Sequence, residues 1–497
     1  MKTARNGFIA CLLVACVAVT ALAQVSSETL KQISTPDQVE TRLGTLKFFD
    51  GLPDKATVEK LYDNLDFMRG VEVFLNLMPG ASMFAFGQGY RDGGIMGGTI
   101  GISETLTDSK ALLLTANTDT VYAGTWIDLK NGPVVVESPP NVLGIVNDAW
   151  FRYVADLGNA GPDRGKGGKY LLLPPGYKGD VPQGYYVFRS PTYGNALMWR
   201  GFLVNGDPKP AVDNIKKHAR VYPLAQAANP PEPKFINTSG LAYNTIFAGD
   251  FAFFEQVNQV VQTEPAEALE PEFGGLLASI GIVKGKPFAP DARMKRILED
   301  AAAVGNATAR AISAQPRGTD FFYYPGSSWL NIFPGGSFEF LKDGHRDLDA
   351  RTMFFVNAIF VTPAMAMKMV GVGSQYAGNS RDSQGRILDG GKTYRLHLPP
   401  NVPAKDFWSI VVYDNQTRSM LQTDNPLPSV NSYKKDLAKN ADGSVDIYFA
   451  PQAPAGKESN WIQTVSGKSW MTILRLYGPL QPWFDKTWRP GEIELVK

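Results

Sequence analysis

The chain has 497 residues, 49 basic and 48 acidic side chains, a formal net charge of +1, 49 glycines, 35 prolines and only two cysteines. A near-neutral balance without charge blocks argues against a nucleic-acid partner and against a polybasic membrane patch. Both cysteines, Cys11 and Cys16, precede residue 24, so a chain cleaved there has no disulfide, thiolate nucleophile or cysteine-ligated zinc.

The N-terminus reads as a secretion signal over residues 1–23. Lys2 and Arg5 form the basic region, residues 7–20 are apolar, and Ala21-Leu22-Ala23 is the cleavage site before Gln24. The apolar run is too short for a bilayer, which takes about 20 such residues, and no later run is long enough. Leu13-Val14-Ala15-Cys16 offers the alternative of a lipoprotein anchored through Cys16. On either route the expected compartment is the periplasm or beyond.

Further along, residues 54–77 carry Val58, Leu61, Leu65, Met68, Val71 and Leu75 at helical spacing. Pro79-Gly80 should end this helix, and a glycine-rich stretch follows at 87–101. From 110 to 205 the chain breaks into short β-prone runs between turn residues, at 111–114, 121–129, 133–136, 170–173 and 185–188. Residues 206–370 are more helical. A short helix is expected at 211–221, a longer one at 292–314 behind an Asp291 N-cap, and an apolar one at 354–369 that kinks or stops at Pro363. From Gly390 alternation returns in Tyr394, Leu396 and Leu398, in Trp408, Ile410 and Val412, and in Val445, Ile447 and Phe449. The expected fold is mainly β with α. It has two jelly-roll-like β-sandwich domains joined by a helical middle segment, with an N-terminal sandwich and its leading helix at 37–205, the connecting region at 206–370 and a C-terminal sandwich at 371–497.

Several motifs make the chain resemble a known group. Asn117-Thr118-Asp119-Thr120-Val121-Tyr122 precedes Trp126-Ile127-Asp128-Leu129 and Gly132-Pro133-Val134-Val135. Towards the C-terminus stand Tyr394-Arg395-Leu396-His397-Leu398-Pro399, Phe407-Trp408-Ser409, Thr417-Arg418, Asn460-Trp461 and Arg475-Leu476-Tyr477-Gly478-Pro479. Together they resemble bacterial exported proteins that pair the domains of unknown function twelve-fifty-four and twelve-fourteen. The resemblance implies two sandwiches and export, and no particular activity.

Standard catalytic motifs fail. Residues 161–169 are glycine-rich and basic, but Lys169 is followed by Tyr170 rather than the Ser or Thr of a phosphate loop. Gly87-Gln88-Gly89 lacks the third glycine of a dinucleotide site, and no nucleophile elbow occurs. Neither a nucleotide nor a haem is expected. A divalent cation is the candidate cofactor, with its ligands unassigned.

The polar residues at strand ends carry the functional expectation, a hydrolase-like envelope enzyme acting on a small polar or polymeric ligand. Asp119 is the candidate base or cation ligand, and Asn117 and Tyr122 would orient substrate. Arg395 and His397 would supply electrostatic stabilisation or proton transfer. The competing reading of Asn117 and Asp119 is ordinary turn chemistry. Trp126 shares the parity of Tyr122, and with Asn460 and Trp461 it would serve the alternative, a non-catalytic carbohydrate- or envelope-binding protein. Arg418 joins the substrate-binding candidates. Arg189, Arg200, Arg395, Arg418 and Arg475 recur in or beside strands. Such arginines pair either with internal carboxylates such as Asp128, Asp156 and Asp414 or with an anionic substrate. The interface between the sandwiches is the preferred place for a ligand.

Overall fold

The computed structural model describes residues 25–496; the signal segment and Cys16 lie outside them. The chain divides into two compact units at Leu65/Asp66. In the first, Ser26 caps a short helix, Ser27–Ile33, ahead of an antiparallel three-stranded sheet, Gln38–Thr41, Gly44–Phe49 and Leu52–Pro53.

The second unit holds two sandwiches. One packs a four-stranded sheet (Tyr186–Arg189, Gly168–Leu173, Val134–Ser138, Arg220–Pro223) on a six-stranded sheet (Lys234–Asn237, Thr99–Ile102, Thr120–Asp128, Gly194–Phe202, Val142–Asp148, Tyr153–Gly158). Its core takes Val134, Val136, Tyr170 and Leu172 from the first sheet and Val121, Ala123, Leu197 and Trp199 from the second. Strands of this sandwich therefore continue past residue 205. The other sandwich packs a five-stranded sheet (Leu330–Asn331, Ser374–Asn379, Trp470–Pro479, Ala404–Asp414, Ser429–Asn431) on a four-stranded one (Trp461–Gln463, Val445–Ala450, Tyr394–Leu398, Ile493–Leu495). Leu396, Leu398, Ile410, Val412, Ile447 and Leu474 meet between them. The fold is mainly β with α. Among the described residues no helix is long and apolar enough to cross a membrane.

Strand parity decides what the outer faces do, because alternate side chains leave opposite faces of a strand. Leu197 and Trp199 enter one sandwich core, so Ala196, Met198 and Arg200 face away from it. Ala377 and Leu474 enter the other core, so Tyr376, Ile473 and Arg475 face away. The apolar members of these outward sets join one large cluster with the helices of the middle segment.

Three local expectations are corrected by tertiary packing. The helix predicted to stop at Pro79 runs on as Lys55–Asp92. A proline inside a helix costs about 3 kcal/mol, but Phe74, Leu77, Met78, Ala81 and Phe86 around it are buried, and each large apolar side chain contributes about 1.5–3 kcal/mol. Gly80 lets the helix close on Trp150, whose ring lies 2.5 Å from where a Cβ would stand. Residues 111–114 form no strand. They make one bridge, Leu112 to Asn244, and are held by burial of Leu113 and Leu114. Pro363 does not kink a helix; it begins Pro363–Ala366 behind the Thr362 cap, and the preceding helix is Leu348–Asn357. Asp291 caps Ala292–Ala314 through the amide of Met294, as expected.

Candidate functional site: an arginine-lined cavity

Four strands build the site. In the six-stranded sheet Arg200 stands directly across from Tyr122. In the five-stranded sheet Arg475 stands across from Tyr376 on one side and Ser409 on the other. Each guanidinium thus lies over a tyrosine face, 5.9 Å from the Tyr122 ring for Arg200 and 5.2 Å from the Tyr376 ring for Arg475.

These residues line a cavity of about 260 Å³ whose remaining wall is largely apolar, including Leu113, Met198, Ile332, Met353, Phe360 and Ile473. The lining contains five arginines (Arg200, Arg310, Arg381, Arg418 and Arg475) and no aspartate, glutamate, lysine or histidine. Arg200, Arg418 and Arg475 are buried, whereas Arg310 and Arg381 are half-exposed beside exposed Ile387. Arg310 and Arg418 bond backbone carbonyls of residues 356 and 415–416, and Arg381 those of Ala314 and Gly385. Burial, with Arg310 adding repulsion, pushes the Arg418 guanidinium down to about 10.

The two deepest arginines are under-satisfied. Arg200 donates to the Tyr376 hydroxyl at 3.3 Å. Arg475 donates to the carbonyl of Thr115 and to the Tyr413 hydroxyl. The Nε of each has no partner, and neither does the Nδ2 of Asn379 in the same wall. All three orphan atoms are donors. Asp156 and Asp119 act electrostatically on Arg200 and Arg475 respectively, but neither pairs with them. Asp156 accepts from Thr362, and Asp119 from Ser429 and Asn431. A buried cation without a counter-ion costs several kcal/mol; the tyrosine faces return about 2 kcal/mol each when desolvated. Backbone strain collects here as well. Thr115 (φ 39°), Phe360 (φ 68°) and Arg418 (φ 61°), all in the wall, have left-handed backbones, which for non-glycine residues cost about 1–3 kcal/mol each.

The residues singled out in the sequence divide into three groups. Tyr122 and Arg418 line the cavity. Asn117 and Asp119 lie behind its wall, fully buried. Asn117 does turn chemistry, its Oδ1 accepting from the amides of Asp119 and Thr120, while its Nδ2 donates to the Tyr477 hydroxyl at 2.6 Å. Asp119 is fastened to Ser429 at 2.8 Å and Asn431 at 2.6 Å. Burial raises its pKa above the ordinary carboxylate range.

The remaining five are elsewhere. Arg395 and His397 alternate with the core residues Leu396 and Leu398 and so project from the outer face of their sandwich. There Arg395 pairs with Glu494 and His397 with Asp446, each at 2.8 Å, and both side chains are 42% exposed. That face is solvent, neither core nor cleft, so they do not converge with Asp119. Asn460 is a structural bridge, bonding Ala438 and the carbonyl of Asp446. The Trp461 indole donates to the carbonyl of Ala450, and the Trp126 ring packs on Gly87 and Gly194. Neither tryptophan lines the cavity. Among the described residues no group of three or more His, Cys, Asp or Glu side chains is arranged to hold a metal. Sequence reasoning missed Tyr376 and Asn379, whose strand carries no clear alternation. It flagged Arg200 and Arg475 only as sheet arginines in need of partners.

The architecture is that of a paired-sandwich protein. Residues 98–223 match the family described as Protein of unknown function (DUF1254), and residues 373–481 the family described as Protein of unknown function (DUF1214). The chain carries both domains, in the order its motifs implied. Among solved structures, the VPA0106 protein from Vibrio parahaemolyticus is similar, with 20% identity and a TM-score of 0.54 over 87% of this chain and 100% of that one. That likeness supports the shared fold. An uncharacterized protein from Burkholderia cenocepacia has 14% identity and a TM-score of 0.41 over 89% of this chain and 97% of its own. No curated protein matches the sequence.

Proposed function

We propose that the protein binds an organic anion with an apolar body, such as an aryl or short-chain carboxylic acid, in the cavity between the two sandwiches. One observation carries the reading: five arginines and no acidic side chain line a mostly apolar wall. The carboxylate would take the orphan donors of Arg200, Arg475 and Asn379, and charge-assisted bonds to a guanidinium are among the strongest available. The apolar wall would take the rest. A cavity of about 150 Å³ accepts benzene, so about 260 Å³ suits one ring with a short acidic chain.

Hydrolysis through Asp119 has less support, since that carboxylate is sealed from solvent and outside the lining. Carbohydrate stacking on Trp126 or Trp461 has less still, since both rings are committed to packing or to a backbone carbonyl. Export, read from residues 1–23, belongs to the same proposal and would place the ligand in the envelope.

The test is calorimetric titration with phenylbutyrate, the matching alcohol and the matching amine. The acid is expected to bind at least about 30-fold more tightly than either, because leaving buried charges unpaired costs about 2–5 kcal/mol. Arg475→Met should weaken acid binding by about 30-fold or more, with the fold checked by circular dichroism. Equal affinity for acid and alcohol overturns the reading.

A further inference from the structure

We propose that Tyr376 is the resident counter-charge of the cavity: as a phenolate it balances Arg200 and Arg475 while no ligand is bound, and it takes up a proton when an organic anion enters. The inference rests on the reading of the cavity as an anion site.

Two phenols accept from these arginines, and geometry separates them: the Tyr413 hydroxyl takes a bond from Arg475 at 2.7 Å but donates its own proton to the carbonyl of Ala116 at 2.8 Å, whereas the Tyr376 hydroxyl bonds Arg200 and the Ser374 hydroxyl. It accepts from Arg200 at 3.3 Å and shares a hydrogen bond with the Ser374 hydroxyl, and the register sets Arg475 across the sheet from it. The ionisable groups acting on it come from both sandwiches, Arg200 from one and Arg475 and Tyr477 from the other, and Tyr122 and Tyr413 act on the same two arginines. Arg310, Arg381 and Arg418 add further positive charge around the wall, and no carboxylate lines it. Two cations therefore share a site whose lining offers no acid but phenols, while Asp156 acts on Arg200 and Asp119 on Arg475 from behind the wall.

These phenols are not equivalent. Burial alone pushes a phenol up, and it pushes Tyr413 and Tyr477 above the ordinary range. At Tyr376 burial acts the same way, but Arg200, Arg475 and the Ser374 hydroxyl outweigh it and bring the phenol below that range.

A second anion in this shell would repel the phenolate, and protonation relieves the repulsion. The step balances as carboxylate plus phenolate plus one proton giving carboxylate plus phenol. The only bond formed is the phenolic O–H, and the charge of the site is unchanged. The phenol then has a hydrogen to donate to the bound carboxylate.

The sign of the pH dependence follows. Below the Tyr376 pKa the phenol already carries its proton and affinity is greatest. Above it each ligand must bring a proton in, so Kd rises about tenfold per pH unit.

The experiment is calorimetry of phenylbutyrate binding to the full chain, in buffers of different ionisation enthalpy, from about pH 6 up to the ordinary phenol value of about 10, with Asp156→Asn run in parallel because that carboxyl, pushed up to about 7, ionises in the same range. Wild type is expected to take up close to one proton per ligand at the upper end, with Kd following that slope. Tyr376→Phe should take up none and show a flat Kd. Should that variant fail to fold, ultraviolet titration of wild type serves instead: phenylbutyrate should lower the tyrosinate absorbance at fixed high pH. Tight binding without proton uptake, or an unchanged tyrosinate signal on saturation, overturns this inference and leaves the anion site standing. No binding by wild type removes the anion site and this inference with it.

Discussion

Asp119 separates a structural from a catalytic role at the scale of one residue. Its Oδ1 accepts from Ser429 and Asn431, hydrogen bonds that span more than 300 positions of sequence and join the strand region after Asn117 to the other sandwich. The neighbouring Ser409 hydroxyl also acts on this carboxylate, lowering its pKa against the effect of burial. Deleting the carboxylate leaves two half-buried donors without their acceptor, at up to about 1–3 kcal/mol each. Asp119→Ala should therefore lower unfolding stability by that amount in urea denaturation, while phenylbutyrate affinity stays within about twofold. Unchanged stability with lost ligand binding would return Asp119 to the site, where its sequence context first put it. Asn117 teaches the same lesson. The side chain reads as a turn former and acts as one, and the fold uses its second end to hold Tyr477.

At the scale of elements, Asp156 on the strand Tyr153–Gly158 binds Thr362, the cap of the helix Pro363–Ala366. Burial pushes this carboxyl up to about 7, against the opposing pull of Thr362, Tyr153 and Arg200. An unfolded aspartate titrates at about 3.9, so between these values the folded chain holds the proton more tightly. The contribution is stabilising in full below about pH 4 and is lost as pH rises through about 7, on the order of a few kcal/mol. Buried Asp119 and Asp148, both raised, act in the same direction. Asp156→Asn keeps an oxygen for Thr362 and removes the titration. Denaturation at about pH 5 and about pH 8 should show a smaller stability loss in the variant than in wild type. An identical slope in both would mean that Asp156 does not titrate in this range.

The second unit sets two sandwiches and a helical segment around this cavity, and what reaches it depends on the compartment. A full-length chain expressed in a bacterium is expected to be recovered from the periplasm with Gln24 as its first residue, read by N-terminal sequencing or intact mass. A lipid-modified Cys16 start would establish the lipoprotein route instead. A cytoplasmic chain still beginning at Met1 would overturn export.

The sequence by itself determined the two β-regions, the Asp291 cap and the Asn117 turn, because period-two alternation, capping and turn formation are written within a few neighbouring residues; the order of the two domains followed from the resemblance of its motifs. Even there, Pro79 misled, since its local cost was outweighed by burial that only the folded helix experiences. The cavity was decided by tertiary structure. Tyr122, Arg200, Tyr376 and Arg475 come from four strands of two sheets, and no short-range pattern marks them as a set. The sequence posed the question of what buried arginines pair with. The strands answered it by setting each arginine against a tyrosine and leaving both without a carboxylate partner.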